Sequence, residues 1–538
     1  MNRLKSSAST VHRNYERVAE RFETGVSMLE RRYTPLGRFT PGPFEGWSFL
    51  WQPALLGLLA TSLILAGCSF TNSPFKLDMA GTWFYAEPSV STSGVAASET
   101  KLILSIVLVY GGLVLLMRVW LRLAEVMKLH PGASLKSLWW MLLVWATPMI
   151  IAPPLFSRDV FSYAAQGEMT AHHISPYLYG PFTLGSGQWV APVDKLWGNT
   201  PAPYGPLFLY MDGTIDRIAT HREVFIVMGL RLLETFAVAM IGYGIVLLAR
   251  ALGRDPGEAF VLAAMNPLVL LTIVGGAHND GIMAGFLVVG IALAAKRHPV
   301  WGLFFCSCAA AIKAPAAIGL AYVAWTWLGP QASIKQRVRP IAIAGAVAVA
   351  TLSVWTFLAG FGFGWVNNLL SNGTVRSWAA PATGVGLAIA HIVHGVGISS
   401  ISTGSVLSVT RLIGLVTAAA FAFWLLWHCE ERGWVRSLAL SLILFVELGP
   451  VVQPWYLVWG LVLWAASYKG REHFWLLALS ITGPFIGLPG GTTLLSGLVH
   501  SNPLLIAVAV AIVGGVLLLP MGSWTQWSWP VKELELTS

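Results

Sequence analysis

The sequence predicts an all-α, polytopic membrane protein with about fourteen transmembrane helices. Three observations predict it. Charged residues make up 11% of the 538 positions, against roughly 25% in a soluble domain. Hydrophobic residues reach 55%, with 25 Trp. Long unbroken apolar runs recur along the chain, in contrast to the short alternating segments of an outer-membrane barrel. So little charge cannot cover a soluble surface, which excludes a soluble enzyme, a disordered scaffold and a collagen-like fibre.

Taken in order, the apolar runs fall near 50–70, 102–124, 136–156, 224–249, 258–275, 281–296 and 299–312. The second set falls near 314–328, 340–360, 405–428, 436–451, 454–468, 473–488 and 503–521. Lys and Arg set their orientation, because short basic connections stay in the cytoplasm. Residues 1–49 are a basic, cytoplasmic N-terminal segment. Basic clusters then recur in every second connection, at Arg118/Arg122/Lys128/Lys136, Arg250/Arg254, Lys296/Arg297, Lys335/Arg337/Arg339, Arg432/Arg436 and Lys469/Arg471. This places both termini, including the tail 522–538, in the cytoplasm of a plasma-membrane protein. Residues 299–328 must then cross twice, with Lys313 and Pro315 at an outward hairpin tip. The run 383–398 becomes an external or re-entrant helix. Three spans within 50–156 lead into one large external segment, 157–223, rich in Pro, Tyr and Gly, and 224–521 complete the bundle. Loops of that length usually carry function, and these aromatics argue for ordered interfacial helices.

Ionisable groups near a membrane face are costly and mark candidate sites. The strongest local signal is Ser157-Arg158-Asp159-Val160-Phe161-Ser162-Tyr163, where the third span ends. Gly275-Gly276-Ala277-His278-Asn279-Asp280-Gly281 is a turn on the same face with more polar groups than a turn requires. Lys313 sits between two apolar half-length helices, and an ammonium at such depth must face a polar cavity. Arg376 in an uncharged loop, His172 and His173 in the long segment, and Gln453-Pro454-Trp455-Tyr456 complete the set. Each also has a plain structural reading: helix cap, turn, headgroup contact or aromatic belt. No Walker loop, kinase signature or nucleotide fingerprint occurs, and no nucleic-acid partner is indicated. Carboxylate and cations converging outside the cytoplasm suggest chemistry on an anionic, lipid-borne donor.

The stretch Arg158-Asp159-Val160-Phe161-Ser162-Tyr163-Ala164-Ala165-Gln166-Gly167, followed by Ser175-Pro176-Tyr177, Pro203-Tyr204-Gly205-Pro206 and His278-Asn279-Asp280, resembles a known family. It is similar to the actinobacterial polyprenol-phosphomannose-dependent α-1,6-mannosyltransferases (mannopyranosyltransferases A and B) of the GT-C glycosyltransferase superfamily, over roughly 45–525. The resemblance implies a GT-C-type fold with a large external first catalytic loop. It implies polyprenyl-β-phosphomannose as donor, an α-1,6-mannan of the lipomannan type as acceptor, and inversion at the anomeric carbon. By position it makes Asp159 the catalytic carboxylate. The leaving phosphate needs cations, for which Lys313, Arg376, His278 and Arg158 are the expected residues. Asp280, Asn279, His172, His173, Tyr163, Tyr204 and Gln453 are the expected substrate contacts. Arg158 stands where other superfamily members carry a second acid, so no metal ligand is assigned; a divalent metal stays open as a cofactor but is not indicated. Two alternatives stay open: a related transferase using polyprenyl-phosphoarabinose or -glucose, and a transporter or flippase of lipid-linked sugar, which would more often show repeated halves.

Overall fold

The computed structural model describes residues 51–70, 73, 75, 83, 99–129, 131–368, 380–397 and 400–486. The N-terminal segment 1–49, Arg376, the run 503–521 and the tail 522–538 lie outside the described residues. Within them every regular element is a helix.

Three helices precede the long segment: α1 (Trp51–Ser69), α2 (Glu99–Leu129) and α3 (Leu135–Ile151). Two shorter ones lie within or end it, α4 (Asp159–Ala171) and α5 (Pro206–Ile218). Then come α6 (Glu223–Ala251), α7 (Pro256–Ala263), a π-helical turn (Val269–Gly275) and α8 (Asp280–Ala295). The remainder is α9 (Pro299–Ala310), α10 (Ala317–Thr326), α11 (Ile334–Ala359), α12 (Pro381–Gly395), α13 (Thr403–Trp427), α14 (Trp434–Glu447), α15 (Val458–Trp464) and α16 (Glu472–Ile486). Each of the first thirteen apolar runs thus contains a helix or a broken helix. Five of these are long and apolar enough to cross a membrane: α1, α2, α6, α11 and α13. The π-turn and α8, bent by 117°, make a sixth if they form one broken span. The others are shorter apolar helices, because Gly, Pro and polar turns interrupt their runs.

Local chemistry sets the breaks. Proline at the first helical position starts α5, α7, α9 and α12, where its missing N–H costs nothing. Asp255 caps α7 by accepting the Glu258 N–H at 2.7 Å. A Ser333–Gln336 capping box opens α11.

The helices alternate in direction, so their connections sort into two ends. At one end, Gly132 N–H donates to Asp255, Arg254 to the Tyr468 carbonyl, and Arg337 to Glu430, while Arg436 pairs with Glu472. The connections rich in Lys and Arg therefore gather there. At the other end meet residues 152–158, the turn 276–279, the turn at 311–316 and the turn 448–457. Helix α12 starts at this second end, where Thr383 donates to the Pro450 carbonyl at 2.6 Å. It packs antiparallel on the first half of α13, with Gly386 against Leu407 and Thr410, and Ala382 against Gly414. It therefore does not run back to the basic end.

Two buried charges inside α6 knit the second end together. Arg231 donates to the carbonyls of Ile150, Ala152 and Gly275, tying the exit of α3 to the end of the π-turn. One turn later Glu234 accepts the Ile282 N–H at 2.9 Å, which pins the start of α8. The sequence reading passed over both residues within the run 224–249.

Candidate active site

Asp159 is the first residue of α4, and its N–H donates to Ser157 Oγ at 3.2 Å. Just before it, Phe156 adopts a left-handed φ of 61°, and Ala277 before His278 has φ 53°. Such conformations in non-glycine residues persist only where surrounding structure enforces them. Down one face of α4, Asp159, Ser162 and Gln166 follow the i, i+3, i+7 spacing that aligns side chains on a helix. They form one wall of a cleft of about 410 Å³, open mouth included. Trp197, Thr200, Pro201, Pro203 and Tyr204 supply a second wall, and Gln453, Trp455 and Tyr456 a third. Ser162 Oγ and Gln166 Oε1 are buried without a hydrogen-bond partner among the described residues. A ligand rich in hydroxyls satisfies such atoms.

His278 stacks on Trp455, rings 3.7 Å apart, and its Nδ1 lies 2.7 Å from the Thr272 carbonyl. A carbonyl only accepts, so Nδ1 carries the proton. The lone pair on Nε2 then faces Asp159 Oδ2 at 3.8 Å. Asp159 is 17% exposed. Burial is the main cause lifting its carboxyl to about 6, against the pull of the Lys313 ammonium and with a further push from Asp280.

Beside the cleft, Asp280 is fully buried. Its Oδ2 accepts Lys313 Nζ at 2.7 Å and its Oδ1 accepts the Trp459 indole N–H at 2.6 Å. The ammonium sits 5.0 to 6.0 Å from the Tyr456, Tyr204 and Trp459 rings. The pair joins the start of α8 to the 311–316 turn, residues 33 apart in sequence. Pro203-Tyr204-Gly205-Pro206 docks on that same turn through Gly205 N–H to the Ile312 carbonyl and Leu207 N–H to the Ala311 carbonyl. A Cβ on Gly205 would lie 2.2 Å from the Ala311 oxygen. Gly205→Val is therefore expected to lower stability by about 1–3 kcal/mol or more, as overpacking does. A thermal melt of the purified variant showing an unchanged midpoint would contradict this.

The structure thus brings Asp159, His278, Asp280, Lys313, Tyr204 and Gln453 together. Tyr163 lies buried behind them, its ring 5.3 Å from Tyr204 and 5.2 Å from Phe208. Asn279 is fully buried, with neither side-chain atom hydrogen-bonded among the described residues. Arg158 stands next to Asp159 and donates to the Pro192 carbonyl. His172 and His173 are not at the cleft. They sit at the opposite end of α4, and His172 pairs with Glu168. Tyr177 of the Ser-Pro-Tyr motif packs with Ala202 and Leu209 in a small core inside the long segment. The sequence reading did not single out Ser162, Gln166, Trp197, Thr200 or Trp459. The first two were legible as a helix face; the others required the fold.

Fold and site define a helical membrane protein whose broken helices hold a partly buried carboxylate in a polar, aromatic-lined cleft. Residues 54–329 match the family described as alpha-(1->6)-mannopyranosyltransferase, N-terminal domain, and residues 382–520 match the MptB C-terminal domain. The chain is 30% identical to alpha-(1->6)-mannopyranosyltransferase A of Mycobacterium tuberculosis, over 84% of this chain and 85% of that protein. It is 32% identical to alpha-(1->6)-mannopyranosyltransferase B of Corynebacterium glutamicum, over 71% of this chain and 66% of that one. A probable alpha-(1->6)-mannopyranosyltransferase of Mycolicibacterium smegmatis is also 32% identical, over 69% and 73% respectively. The chain belongs to the alpha-(1->6)-mannopyranosyltransferase A/B family.

Proposed function

We propose that this protein is an inverting GT-C-type mannosyltransferase. It moves mannose from polyprenyl-β-phosphomannose to an α-1,6-mannan acceptor of the lipomannan type, and Asp159 is the general base. The observation that carries this reading is the Asp159 carboxylate, mostly shielded and lifted to about 6, in a cleft whose walls present unpaired Ser162 and Gln166 atoms and the indoles of Trp197 and Trp455.

The chemistry needs one base. The acceptor O6 hydroxyl attacks the anomeric carbon, its proton passes to Asp159, and the bond to the phosphate oxygen breaks on the opposite side. A phosphate leaves without a second carboxylic acid. His278, with its Nε2 lone pair toward Asp159, is suited to share the captured proton. Aromatic faces at Trp197, Trp455 and Tyr456 suit the apolar face of a pyranose. Because the Lys313 charge is already met by Asp280, we assign that pair to positioning the turns and biasing the field at the cleft. Arg158, next to the base, and Arg376, outside the described residues, supply the cations for the phosphate. The cleft faces the outer side of the plasma membrane, with both termini inside and about fourteen crossings. Support for this orientation comes from the basic connections, which gather at the end away from the cleft.

Asp159 must be ionised to act, so kcat/KM is expected to be full above pH 7 and to fall about tenfold per pH unit below its raised value near 6. A profile flat down to pH 5 would contradict the base assignment. The function itself is tested with purified protein, radiolabelled polyprenyl-phosphomannose and a short α-1,6-mannoside. The expected product is the mannoside longer by one α-1,6-linked residue. Transfer from polyprenyl-phosphoarabinose or -glucose instead would move the donor assignment, and lipid translocation without transfer would replace it.

A further inference from the structure

A second cluster of ionisable groups lies at the other end of α4, where the transfer chemistry has no use for it. Glu168 is nine residues beyond Asp159, roughly 13–14 Å along the helix at 1.5 Å per residue. Its Oε1 is 3.0 Å from His172 Nε2 and its Oε2 is 2.8 Å from His221 Nδ1. The same His221 nitrogen is 2.9 Å from Asp216 Oδ2. The ligand-capable atoms of Glu168, His172 and His221 all fall within 4.8 Å of one another. Both carboxylates are buried, while the imidazoles are about half exposed and so open to an ion arriving from solvent.

Glu168 and Asp216 share the one His221 Nδ1, at 2.8 and 2.9 Å. Neither oxygen of Asp216, at 0% exposure, accepts a hydrogen bond among the described residues, and the same holds for both oxygens of Asp212 one turn earlier on α5. Helices α4 and α5 cross closely here, since a Cβ on Gly213 would lie 2.4 Å from Thr170 and one on Gly167 would lie 2.8 Å from Asp212. Buried carboxylate oxygens and two half-exposed imidazole nitrogens thus converge within metal-ligand reach of one another.

We propose that Glu168, His172 and His221, with Asp216 as fourth ligand, bind a divalent transition metal ion of the zinc type. Two imidazoles with carboxylate oxygens are a donor set that suits zinc or cobalt better than calcium or magnesium, which prefer all-oxygen shells. The ligands come from α4, from α5 and from the turn before α6. A bound ion therefore clips these three together and fixes the tilt of the helix whose first residue is Asp159. Its role is structural, and it takes no part in the transfer step.

The test uses the full-length protein in lipid nanodiscs, stripped with EDTA and titrated with Co2+, whose visible absorption reports a protein-bound ion, then with Zn2+ in competition. The site predicts saturable binding of a single equivalent, a higher melting midpoint with Zn2+, and intense bands typical of four-coordinate cobalt. His172→Ala, on an exposed side chain that folding tolerates, and Glu168→Gln should each weaken binding by more than the roughly 10- to 100-fold that outer partners cost. His173→Ala, one residue away, should leave it unchanged. No saturable Co2+ binding by the wild type, or equal binding by the His172→Ala/His221→Ala double variant, would overturn the proposal. Neither readout depends on mannosyl transfer, so a failure of the functional reading leaves this result standing.

Discussion

Asp159→Asn is expected to leave the protein folded and membrane-inserted while lowering transfer by about 10²- to 10⁴-fold, the usual contribution of a positioned base. That equals roughly 3–5 kcal/mol of barrier at 1.36 kcal/mol per decade. The change is isosteric. Asn keeps the backbone N–H bond to Ser157 and presents its amide to His278 Nε2, so a folding defect is not the expected cause. The loss should fall on kcat with little change in KM, because an amide still fills the cleft but cannot take the acceptor proton. Asp159→Glu, a longer acid, should retain part of the activity. Wild-type-like transfer by Asp159→Asn in membranes supplied with purified lipid donor would reject the role.

The Asp280–Lys313 pair carries the second large effect. Removing one member of a buried ion pair typically costs about 3–5 kcal/mol, since it strands the other charge. Asp280→Ala leaves the Lys313 ammonium among three aromatic rings and removes the acceptor of the Trp459 N–H. Lys313→Met strands the Asp280 carboxylate instead. Each single variant should therefore be poorly folded, with a strongly lowered melting midpoint in detergent. The double variant Asp280→Leu/Lys313→Met should recover part of that stability, because no charge is left unpaired. It should nevertheless transfer mannose slowly, since the 276–279 and 311–316 turns are no longer held in register beside the cleft. A double variant as unstable as the singles would show that the pair does more than cancel charge.

Much of this architecture was legible as pattern. Apolar runs marked the helices because membrane spans must be apolar along their whole length. Basic connections at 254, 337 and 436 sorted to one end, as alternation requires. Asp159, His278, Asp280 and Lys313 stood out because charge beside a bilayer is costly. What these residues do to each other was not legible. The Asp280–Lys313 bond joins two turns separated by a whole helix hairpin, and no local spacing announces it. Lys313, expected to meet phosphate, donates to Asp280, a partner that no spacing announced. His172 lies in the same helical segment as Asp159 but at its other end, so proximity in sequence misled. Arg231 and Glu234 did carry a signal, two charges three apart inside the run 224–249, which the count of apolar residues concealed. Ser162 and Gln166 carried another, the helical repeat starting from Asp159. Trp197 and Thr200 carried none, because their place at the cleft depends on how the loop 172–205 folds back.

The most direct measurement is an experimental structure of the protein with a non-cleavable phosphonate analogue of polyprenyl-phosphomannose. The sugar is expected between Trp197, Trp455 and Tyr456, with its anomeric carbon facing Asp159 across room for one hydroxyl and the phosphonate pointing away from the carboxylate, toward Arg158. A sugar bound elsewhere in the bundle, or one whose phosphonate lies on the same side as the Asp159 carboxylate, would contradict in-line displacement by this base.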